Sequence, residues 1–414
     1  MNFKKDLPLT SSHWGTYRAK VKDGKVKELI GWENDKDPSP IGQGIVDVHN
    51  HQTRIDSPMI RKSWMDKGPG SNNSLRGTDP FISISWDEAE KIVSNELNRV
   101  RNDFGNASIF GGSYGWASAG RFHHAQSQLH RFLNCIGGYT RSKFTYSFAA
   151  AEAMVPHILG SYRAYLDTCT SWESIEENTE LFICFGGVPL KNGQIAQGGT
   201  GSHKQKEKLI RSANAGIKFV NFSPLKSDLL DEVNGEWLAL RPNTDVAIML
   251  GLAHTLYKEK LYDDKFIEKY TEGFDTFLPY LQGDIDGIVK DANWASSISE
   301  IPSEKIILLA KEMSSKRTMI SVSWSLTRQD HGEQPFWAAI MLASMVGQIG
   351  LPGGGFGFGY SATNHIGGQF SIIPGAAFPQ TENKIEDFIP VARISDLLLN
   401  PGGSFDFDGK EYKY

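Results

Sequence analysis

A glycine-rich turn carries two aromatic side chains that have polar tips. Residues 111–116 place Tyr114 and Trp116 directly after a strand-like run at residues 107–110. A buried tyrosine or tryptophan needs a partner for its O–H or N–H group, so this pair predicts a lined pocket. Further along, a lone serine, Ser147, precedes a run of small residues. The alternative for Trp116 is an ordinary place in the core.

Polar and charged side chains follow three predicted buried strands, at residues 180–186, 216–222 and 317–323. Ligands of open α/β sheets bind beyond the carboxyl ends of the strands. The segments after the first and third strands carry a cation and hydrogen-bonding groups that suit a phosphate or a nucleotide base. The candidate residues at the three strand ends are Lys191, Asn192, Ser223, Trp324, Ser325, Arg328 and Gln329.

Two of the charged candidates have alternative interpretations. Thr244 and Asp245 begin a predicted amphipathic helix over residues 244–261. Asp245 is either an acid of the first helical turn or a hydrogen-bond acceptor for a base edge, and Arg328 is either a ligand-binding cation or one partner of a surface salt bridge. None of these segments has the Gly-x-Gly-x-x-Gly or P-loop pattern, which argues against an ordinary NAD or ATP site. The glycine string at residues 353–357 follows a helix and predicts a turn-rich loop.

The elements around these residues predict an α/β protein. Strands alternate with helices from residue 180 to residue 349, a pattern typical of a doubly wound, mostly parallel sheet. Near the amino terminus, Asp23-Gly24 between two alternating runs predicts a hairpin. The predicted organisation is a β-rich unit at 1–50, an α/β domain at 51–170, a doubly wound domain at 171–385 and a final segment at 386–414.

Composition excludes several classes of protein. The 414 residues carry a net charge of −5, which argues against a nucleic-acid-binding surface. No apolar run is long enough for a transmembrane helix. The first residues contain neither an apolar core nor a twin arginine, so we expect a cytoplasmic protein. The alternative is a periplasmic protein whose leader has been removed.

The cysteines and histidines do not predict a metal cluster. Three widely spaced cysteines are too few for an iron–sulfur or zinc site, and we expect buried structural thiols at Cys135, Cys169 and Cys184. Three histidines share one predicted helix without the i, i+4 spacing of a metal site, and we expect solvated or core roles for His123, His124 and His130.

Several short motifs occur in the order found in a known enzyme family. They are Ser-Tyr-Gly-Trp (113–116), Gly-Gly-Tyr-Thr (137–140), Tyr-Ser (146–147), Met-Val-Pro-His (154–157), Arg-Pro-Asn-Thr-Asp-Val-Ala (241–247), Gly-Leu-Ala-His-Thr-Leu (251–256), Ser-Trp-Ser-Leu-Thr-Arg-Gln (323–329), His-Gly-Glu-Gln (331–334) and Gly-Gln-Ile-Gly-Leu-Pro-Gly-Gly-Gly-Phe-Gly (347–357). The chain resembles the molybdopterin oxidoreductases of the dimethyl-sulfoxide reductase family, in particular the S- and N-oxide reductases. The resemblance covers nearly the whole chain.

This resemblance implies a role for each candidate. Ser147 would be the protein ligand to molybdenum through its side-chain oxygen, and a hard alkoxide suits an oxophilic metal. Tyr114 and Trp116 would line the metal and hydrogen-bond its oxo group or the substrate oxygen. The residues implied to hold a molybdopterin guanine dinucleotide are Trp116, Lys191, Asn192, Ser223, Thr244, Asp245, Trp324, Ser325, Arg328 and Gln329.

The implied reaction is oxygen-atom transfer from an S-oxide or N-oxide to a molybdenum centre, with a bis(molybdopterin guanine dinucleotide) cofactor in the complete protein and no iron–sulfur cluster. The implied substrates are dimethyl sulfoxide, biotin or methionine sulfoxide, and trimethylamine N-oxide, and Tyr114 favours the S-oxides. An electron-donor protein or reduced carrier is also implied. Domain 51–170 would then carry the metal-site residues, and domain 171–385 would bind the nucleotide.

The sequence departs from the family in ways that keep other functions open. Phe148 follows Ser147 where the family has a threonine, and Ser223-Pro224 replaces an Asp-Pro whose acid would hold a ribose. Val188-Pro189 replaces an Asn-Pro or Asp-Pro. The chain ends at about half the family's usual length, so we expect a missing C-terminal half or a second polypeptide to complete the central domain. The alternatives are a non-catalytic remnant or cofactor-binding partner subunit, and a molybdenum hydroxytransferase, which Phe148 alone favours.

Overall fold

The computed structural model describes residues 6–48, 51–113, 124–196, 198–368 and 377–414. These residues form a mixed α/β fold with parallel sheets, which confirms the predicted class. None of the helices in these ranges is long and apolar enough to cross a membrane.

The first half of the described chain contains strands β1 to β7 and helices α1 to α7. The strands are β1 (Leu9–Ser12), β2 (Gly15–Lys22), β3 (Lys25–Gly31), β4 (Met59–Arg61), β5 (Phe81–Ser83), β6 (Phe110–Gly111) and β7 (Thr140–Lys143). The helices are α1 (Gly42–Val48), α2 (Lys62–Lys67), α3 (Trp86–Phe104), α4 (Ala125–Cys135), α5 (Ala149–Leu159), α6 (Tyr162–Asp167) and α7 (Trp172–Asn178).

The second half contains strands β8 to β15 and helices α8 to α15. The strands are β8 (Leu181–Phe185), β9 (Lys218–Phe222), β10 (Glu236–Leu238), β11 (Thr318–Val322), β12 (Gly355–Phe358), β13 (Phe388–Pro390), β14 (Ser404–Phe407) and β15 (Lys410–Lys413). The helices are α8 (Gln205–Asn214), α9 (Asp245–Lys258), α10 (Asp264–Tyr270), α11 (Phe274–Gln282), α12 (Ala292–Ser299), α13 (Ser303–Ser315), α14 (Gln334–Val346) and α15 (Ile394–Leu399).

The largest sheet is parallel throughout and has the order β10-β9-β8-β11-β12. Strands β8 and β11 are buried at every position, as expected for strands covered on both faces. The strand order reverses direction between β8 and β11, and ligands of such sheets bind in the crevice outside the carboxyl ends at this reversal. The segments that follow β8 and β11 carry most of the predicted nucleotide-binding residues.

The long helix α9 lies in the core of the fold, packed against α12, α13 and α14. The sequence predicts an amphipathic helix here, but almost every residue from Asp245 to Leu256 is buried. The prediction is therefore wrong about the pattern, because helices cover α9 on several sides. As a consequence, the first turn of α9 places a carboxyl group in a buried environment.

The chain divides into two compact units, each built from separate segments. The first unit contains Met1–Arg18, Ile30–Ser39 and Phe144–Pro374, and the second contains Ala19–Leu29, Pro40–Lys143 and Gly375–Tyr414. In the first unit the parallel sheet has the main hydrophobic core around it. In the second, β6, β7 and β13 form a small sheet with the order β13-β7-β6.

Several local predictions need correction. The strand predicted at residues 107–110 is mostly a 3-10 helix, Asn106–Ser108, and the strand begins at Phe110. The segment 51–80, predicted as a loop, contains β4 and α2. The glycine string 353–357 leads into β12 at the edge of the parallel sheet, where the ring of Tyr360 occupies the space that a Cβ atom at Gly357 would take.

Other local predictions are confirmed. Asp23 and Gly24 both have positive φ angles, as the tightest hairpin turns require. His130 has a core role, because its ring stacks on Tyr139 and its Nδ1 atom lies 2.9 Å from Gln380 Oε1. Cys184 is buried, but Cys135 is exposed near the end of α4, which contradicts the prediction of a buried thiol there.

Candidate functional site

Ser147 lies two residues before α5, in a segment fixed through its backbone. Its N–H group donates to Thr145 Oγ1 at 3.0 Å. Its carbonyl oxygen accepts hydrogen bonds from Thr327 Oγ1 and Arg328 Nε, both at 3.1 Å. Both donors belong to the 3-10 helix Trp324–Arg328 that follows β11. Ser147 is thus tied to the segment that follows a central strand, and it lies just before the amino terminus of α5, which is the positive end of that helix dipole.

The Phe148 ring packs into an aromatic cluster. Its centroid lies 4.4 Å from that of Trp324 and 5.7 Å from that of Tyr162. Tyr162 in turn contacts Phe358 of β12, with a centroid distance of 5.3 Å. The bulky residue beside Ser147 is therefore accommodated by packing between helices and sheet. The packing of Phe148 does not decide between an oxide reductase and a hydroxytransferase.

Trp324 presents an indole N–H group that has no partner among the described residues. The atom is buried, and a buried donor without an acceptor is costly unless a ligand or water accepts from it. The ring lies directly against the backbone at Gly359, where a Cβ atom would come within 2.1 Å of Nε1. Gly359 has a φ of +71° and donates its N–H to Val322 O at 2.9 Å. Because a Cβ atom at residue 359 would clash with the indole, glycine at this position allows the Trp324 ring to lie where it does.

A charged pair bridges the ends of β8 and β9. Lys191 Nζ lies 3.1 Å from Asp228 Oδ1, with the lysine side chain 61% exposed and the aspartate side chain 13% exposed. Ser223 is fully buried, and its hydroxyl donates to Asp228 Oδ2 at 2.7 Å. A carboxylate is thus present beside Ser223, although the acid expected at that sequence position is missing. Lys191 has the exposure to exchange this partner for a ligand phosphate.

Asp245, the first residue of α9, has a carboxyl group that is almost completely buried. Burial raises its pKa to about 6, and a hydrogen bond with the Gln329 side chain acts in the opposite direction. The neighbouring Thr244 donates its hydroxyl to Arg241 O at 2.6 Å. Asp245 is the acid of the first helical turn, as one of the two alternatives predicts, and Thr244 makes no side-chain cap for the helix. A buried acceptor of this kind suits an N–H edge of a base.

The remaining candidates lie at the same strand ends. Asn192 is exposed and donates its backbone N–H to Pro189 O at 3.2 Å. Ser325 is exposed, and its hydroxyl donates to Ser323 Oγ at 3.0 Å. Arg328 forms no ion pair within the part of the chain that the structure describes, so the salt-bridge alternative finds no support there. Tyr114 and Trp116 lie outside the described residues.

Three residues of the site were missed at the level of sequence. Asp228, Thr327 and Gly359 make the contacts described above, yet none was assigned a role. Asp228 and Thr327 are located in the same strand-end segments as the predicted residues, and that location was the available signal. Gly359 had no sequence signal, because its importance depends on the position of the Trp324 ring.

These side chains suit a ligand with phosphates and a base. Lys191 and Arg328 are exposed cations, Asp245 is a buried acceptor, and the Trp324 indole is an unpaired donor. A guanine dinucleotide offers anionic oxygens to the cations, N–H groups to the carboxylate and acceptors to the indole. The residues present are therefore chemically suited to a ligand that carries phosphates and a nucleotide base. Within the described ranges there is no cluster of three or more His, Cys, Asp or Glu side chains able to hold a metal.

Two family models match this chain, and several curated proteins are similar to it. The molybdopterin oxidoreductase family model matches residues 54–401, and the model of the molybdopterin oxidoreductase N-terminal domain matches residues 10–48. The chain is 43% identical to biotin sulfoxide reductase of Cereibacter sphaeroides over 92% of this chain and 51% of that protein. It is 40% identical to dimethyl sulfoxide/trimethylamine N-oxide reductase of Rhodobacter capsulatus over 98% of this chain and 50% of the relative.

A trimethylamine-N-oxide reductase of Haemophilus influenzae is 38% identical over 98% of this chain and 50% of its own length. The chain thus spans about half the length of the curated relatives it matches. Among solved structures, acetylene hydratase from Pelobacter acetylenicus shares the fold, with a TM-score of 0.52 and 19% identity over 82% of this chain and 43% of the hydratase. The matched ranges and the relatives agree with the motifs and with the α/β fold, and the chain belongs to the molybdopterin oxidoreductase family.

Proposed function

We propose that the chain is part of a molybdenum-dependent oxidoreductase that reduces an S-oxide or N-oxide by oxygen-atom transfer. The relatives named as biotin sulfoxide, dimethyl sulfoxide and trimethylamine-N-oxide reductases support this reaction class. The observation that carries the proposal is the attachment of Ser147 to the 3-10 helix after β11. This attachment brings the proposed metal ligand to the same strand end as the proposed nucleotide-binding residues.

The Ser147 side-chain oxygen is the proposed protein ligand to molybdenum. Two hydrogen bonds to its carbonyl and one from its N–H restrict the segment, so little ordering is needed when a ligand binds. The amino terminus of α5 lies two residues away and favours negative charge, which stabilises a serine alkoxide. A molybdenum ion held by pterin dithiolenes supplies the two-electron oxygen-atom chemistry when it is bound.

The proposed cofactor is a bis(molybdopterin guanine dinucleotide), without an iron–sulfur cluster. Lys191 and Arg328 would neutralise its phosphates, and Asp245 would accept hydrogen bonds from the guanine edge. Trp324 would donate its indole N–H, while Asn192, Ser223, Thr244, Ser325 and Gln329 complete the proposed binding set. Asp228, which lies beside Ser223, supplies a carboxylate near the end of β9 where a ribose hydroxyl would need an acceptor.

The proposed substrate is a small S-oxide or N-oxide, and the proposed electron source is a donor protein or a reduced carrier. Tyr114 and Trp116 are proposed to hydrogen-bond the substrate oxygen. A hydrogen bond to that oxygen withdraws electron density from the bond that breaks, which favours its cleavage. The rest of the enzyme would come from a continuing chain or from a second polypeptide.

Expression of the complete gene product tests the proposal. We expect molybdenum and guanine nucleotide to co-purify with it, and a reduced viologen dye to be oxidised when dimethyl sulfoxide, biotin sulfoxide or trimethylamine N-oxide is added. A protein that contains neither molybdenum nor pterin would contradict the proposal. Cofactor bound without oxide reduction would favour the alternative of a non-catalytic, cofactor-binding chain.

A further inference from the structure

The loop that carries two proposed cofactor-binding residues runs from residue 191 to residue 204, between β8 and α8. We call it the Lys191 loop. Its described residues, 191–196 and 198–204, contain neither helix nor strand. Lys191 and Asn192 stand at its beginning, and His203 stands next to its end. A loop of this kind lacks the hydrogen-bond ladder of a regular element, so its position depends on contacts with other segments.

His203 and Asp35 form a buried pair that holds the far end of this loop. His203 Nδ1 lies 2.6 Å from Asp35 Oδ2, and the two side chains are 2% and 0% exposed. The backbone N–H of His203 donates to Asp35 Oδ1 at 2.9 Å. The same oxygen accepts from the backbone N–H of Asp37 at 3.2 Å, which fixes the turn around Asp35. The Asp35 carboxyl group therefore takes part in three hydrogen bonds, two of them with His203.

The second ring nitrogen reaches back to the start of the loop. His203 Nε2 lies 2.7 Å from the carbonyl oxygen of Gln194. A carbonyl oxygen only accepts, so Nε2 must carry a proton. One further proton lies between Nδ1 and Asp35 Oδ2, because two atoms 2.6 Å apart with only lone pairs facing each other would repel. The ring is therefore hydrogen-bonded through both nitrogens, to Asp35 on one side and to Gln194 on the other.

Gln194 is held from a second direction by the segment that contains Asp35. Its side-chain oxygen accepts a hydrogen bond from Ser39 Oγ at 2.8 Å. Asn364 adds two contacts to the same loop, donating its N–H to Ile195 O at 2.8 Å and its side-chain amide to Ser202 O at 2.9 Å. The loop is therefore held at Gln194, Ile195 and Ser202 as well as at His203.

We propose that the Asp35–His203 pair is a positioning device for the Lys191 loop, acting through the carbonyl of Gln194. Gln194 follows Lys191 by three residues and Asn192 by two. The position of the Gln194 backbone therefore limits where the Cα atoms of Lys191 and Asn192 can lie. The inference rests on the proposed function, because it is the cofactor that gives the loop its role. Removal of the His203 ring leaves the buried Asp35 carboxyl group without one of its hydrogen-bond partners, which disfavours the observed position of the loop.

Two substitutions separate the contacts of the ring. His203→Asn keeps a donor near the Nδ1 position and removes the donor to Gln194 O, whereas His203→Gln does the reverse. His254→Asn is the matched control, since His254 is a buried histidine of α9. Lys191→Met reports directly on the proposed phosphate contact.

Hydrogen exchange read by mass spectrometry on the complete, cofactor-free protein tests the loop. We expect His203→Asn, which loses the donor to Gln194 O, to exchange about tenfold faster or more at residues 191–204, and His203→Gln, which keeps that donor, to show a smaller increase. Exchange elsewhere in the first unit and all exchange in His254→Asn should match the parent. Unchanged exchange of the loop, or an equal increase throughout the unit, would overturn the positioning role.

Cofactor retention then separates this inference from the proposed function. Molybdenum and guanine nucleotide per chain, measured after gel filtration, should fall in His203→Asn as in Lys191→Met, fall less in His203→Gln, and stay at parent level in His254→Asn. If cofactor retention falls in Lys191→Met but not in His203→Asn, then His203 does not position the Lys191 loop for cofactor binding. If Lys191→Met retains the cofactor fully, the phosphate contact of the proposed function is rejected. The hydrogen-exchange result then still decides whether His203 holds the Lys191 loop in position.

Discussion

Asp245 and Gln329 share a hydrogen bond at the buried start of α9. The contact joins the first turn of the central helix to the segment that follows β11. Burial raises the pKa of Asp245 to about 6 despite this bond, so the carboxyl group changes its charge near physiological pH. In the proposed function the ionised form accepts hydrogen bonds from a guanine edge.

The raised pKa predicts a pH-dependent affinity for guanine nucleotide. Below a pKa of about 6 the carboxyl group is protonated and loses its capacity as a double acceptor. We therefore expect the affinity of the cofactor-free protein for GDP to fall by about tenfold per pH unit below pH 6, and to be level above pH 7. Calorimetric titration from pH 5 to pH 8 measures it. A pH-independent affinity in the parent protein would contradict the role of Asp245.

The same group predicts a stability change in Asp245→Asn. Since the folded-state pKa lies above the ordinary value of 3.8, ionisation opposes folding, and this cost grows as the pH rises through the window between 3.8 and about 6. The variant should be more stable than the parent by up to about 3 kcal/mol at pH 7 and equally stable below pH 4. Urea unfolding of the cofactor-free protein measures the difference.

Asp264→Asn is the matched control, because Asp264 is an exposed acid in the first turn of α10. It should change the free energy of unfolding by less than about 0.5 kcal/mol at either pH. Equal effects of the two substitutions would show that burial of Asp245 is not the cause.

A substitution at Gly359 tests the place of the Trp324 ring. Gly359→Ala brings a Cβ atom within 2.1 Å of the indole nitrogen at a φ of +71°. Gly350→Ala is the control, since its φ is +87° and nothing lies within 4 Å of the added atom. Both variants carry backbone strain of about 1 kcal/mol, and the clash at Gly359 should add about 1–3 kcal/mol. Thermal unfolding and Trp324 fluorescence should change more in Gly359→Ala, and equal effects would contradict the packing described.

The fold could be predicted from the sequence where apolar runs are long. Strands β8, β9 and β11 were located to within two residues, because their continuous apolar runs are bounded by glycines or polar residues. Strand β12 was missed, because a run of glycines gives no strand signal and depends on pairing with β11. The amphipathic character assigned to α9 was wrong because the covering by α12, α13 and α14 is a tertiary effect.

Part of the candidate site could also be predicted from the sequence, and part could not. The strand-end location of Lys191, Trp324 and Arg328 follows from topology and could be predicted. The pairing of Lys191 with Asp228 could not, since it joins residues 37 positions apart through an exposed ion pair. The orientation of the Phe148 ring could not be predicted either, because it depends on the space beside Tyr162 and Trp324.

Lys191→Met should weaken nucleotide binding without weakening the fold. The Lys191–Asp228 pair is largely exposed on the lysine side, so its loss should change the free energy of unfolding by less than about 1 kcal/mol. The affinity for GDP should fall by about tenfold and depend less on salt, since a phosphate contact is removed. Lys226→Met, at a nearby exposed lysine that pairs with Asp231, is the control and should bind GDP like the parent. Equal losses in both variants would point to a general charge effect.

The identity of the molybdenum ligand is tested most directly by X-ray absorption at the molybdenum K-edge. Ser147→Cys in the complete protein should replace one oxygen neighbour of the metal by sulfur, while Ser161→Cys, whose serine caps α6, should give the parent spectrum. We predict an added sulfur neighbour in Ser147→Cys alone. A molybdenum-containing Ser147→Cys protein with the parent spectrum would show that Ser147 does not bind the metal.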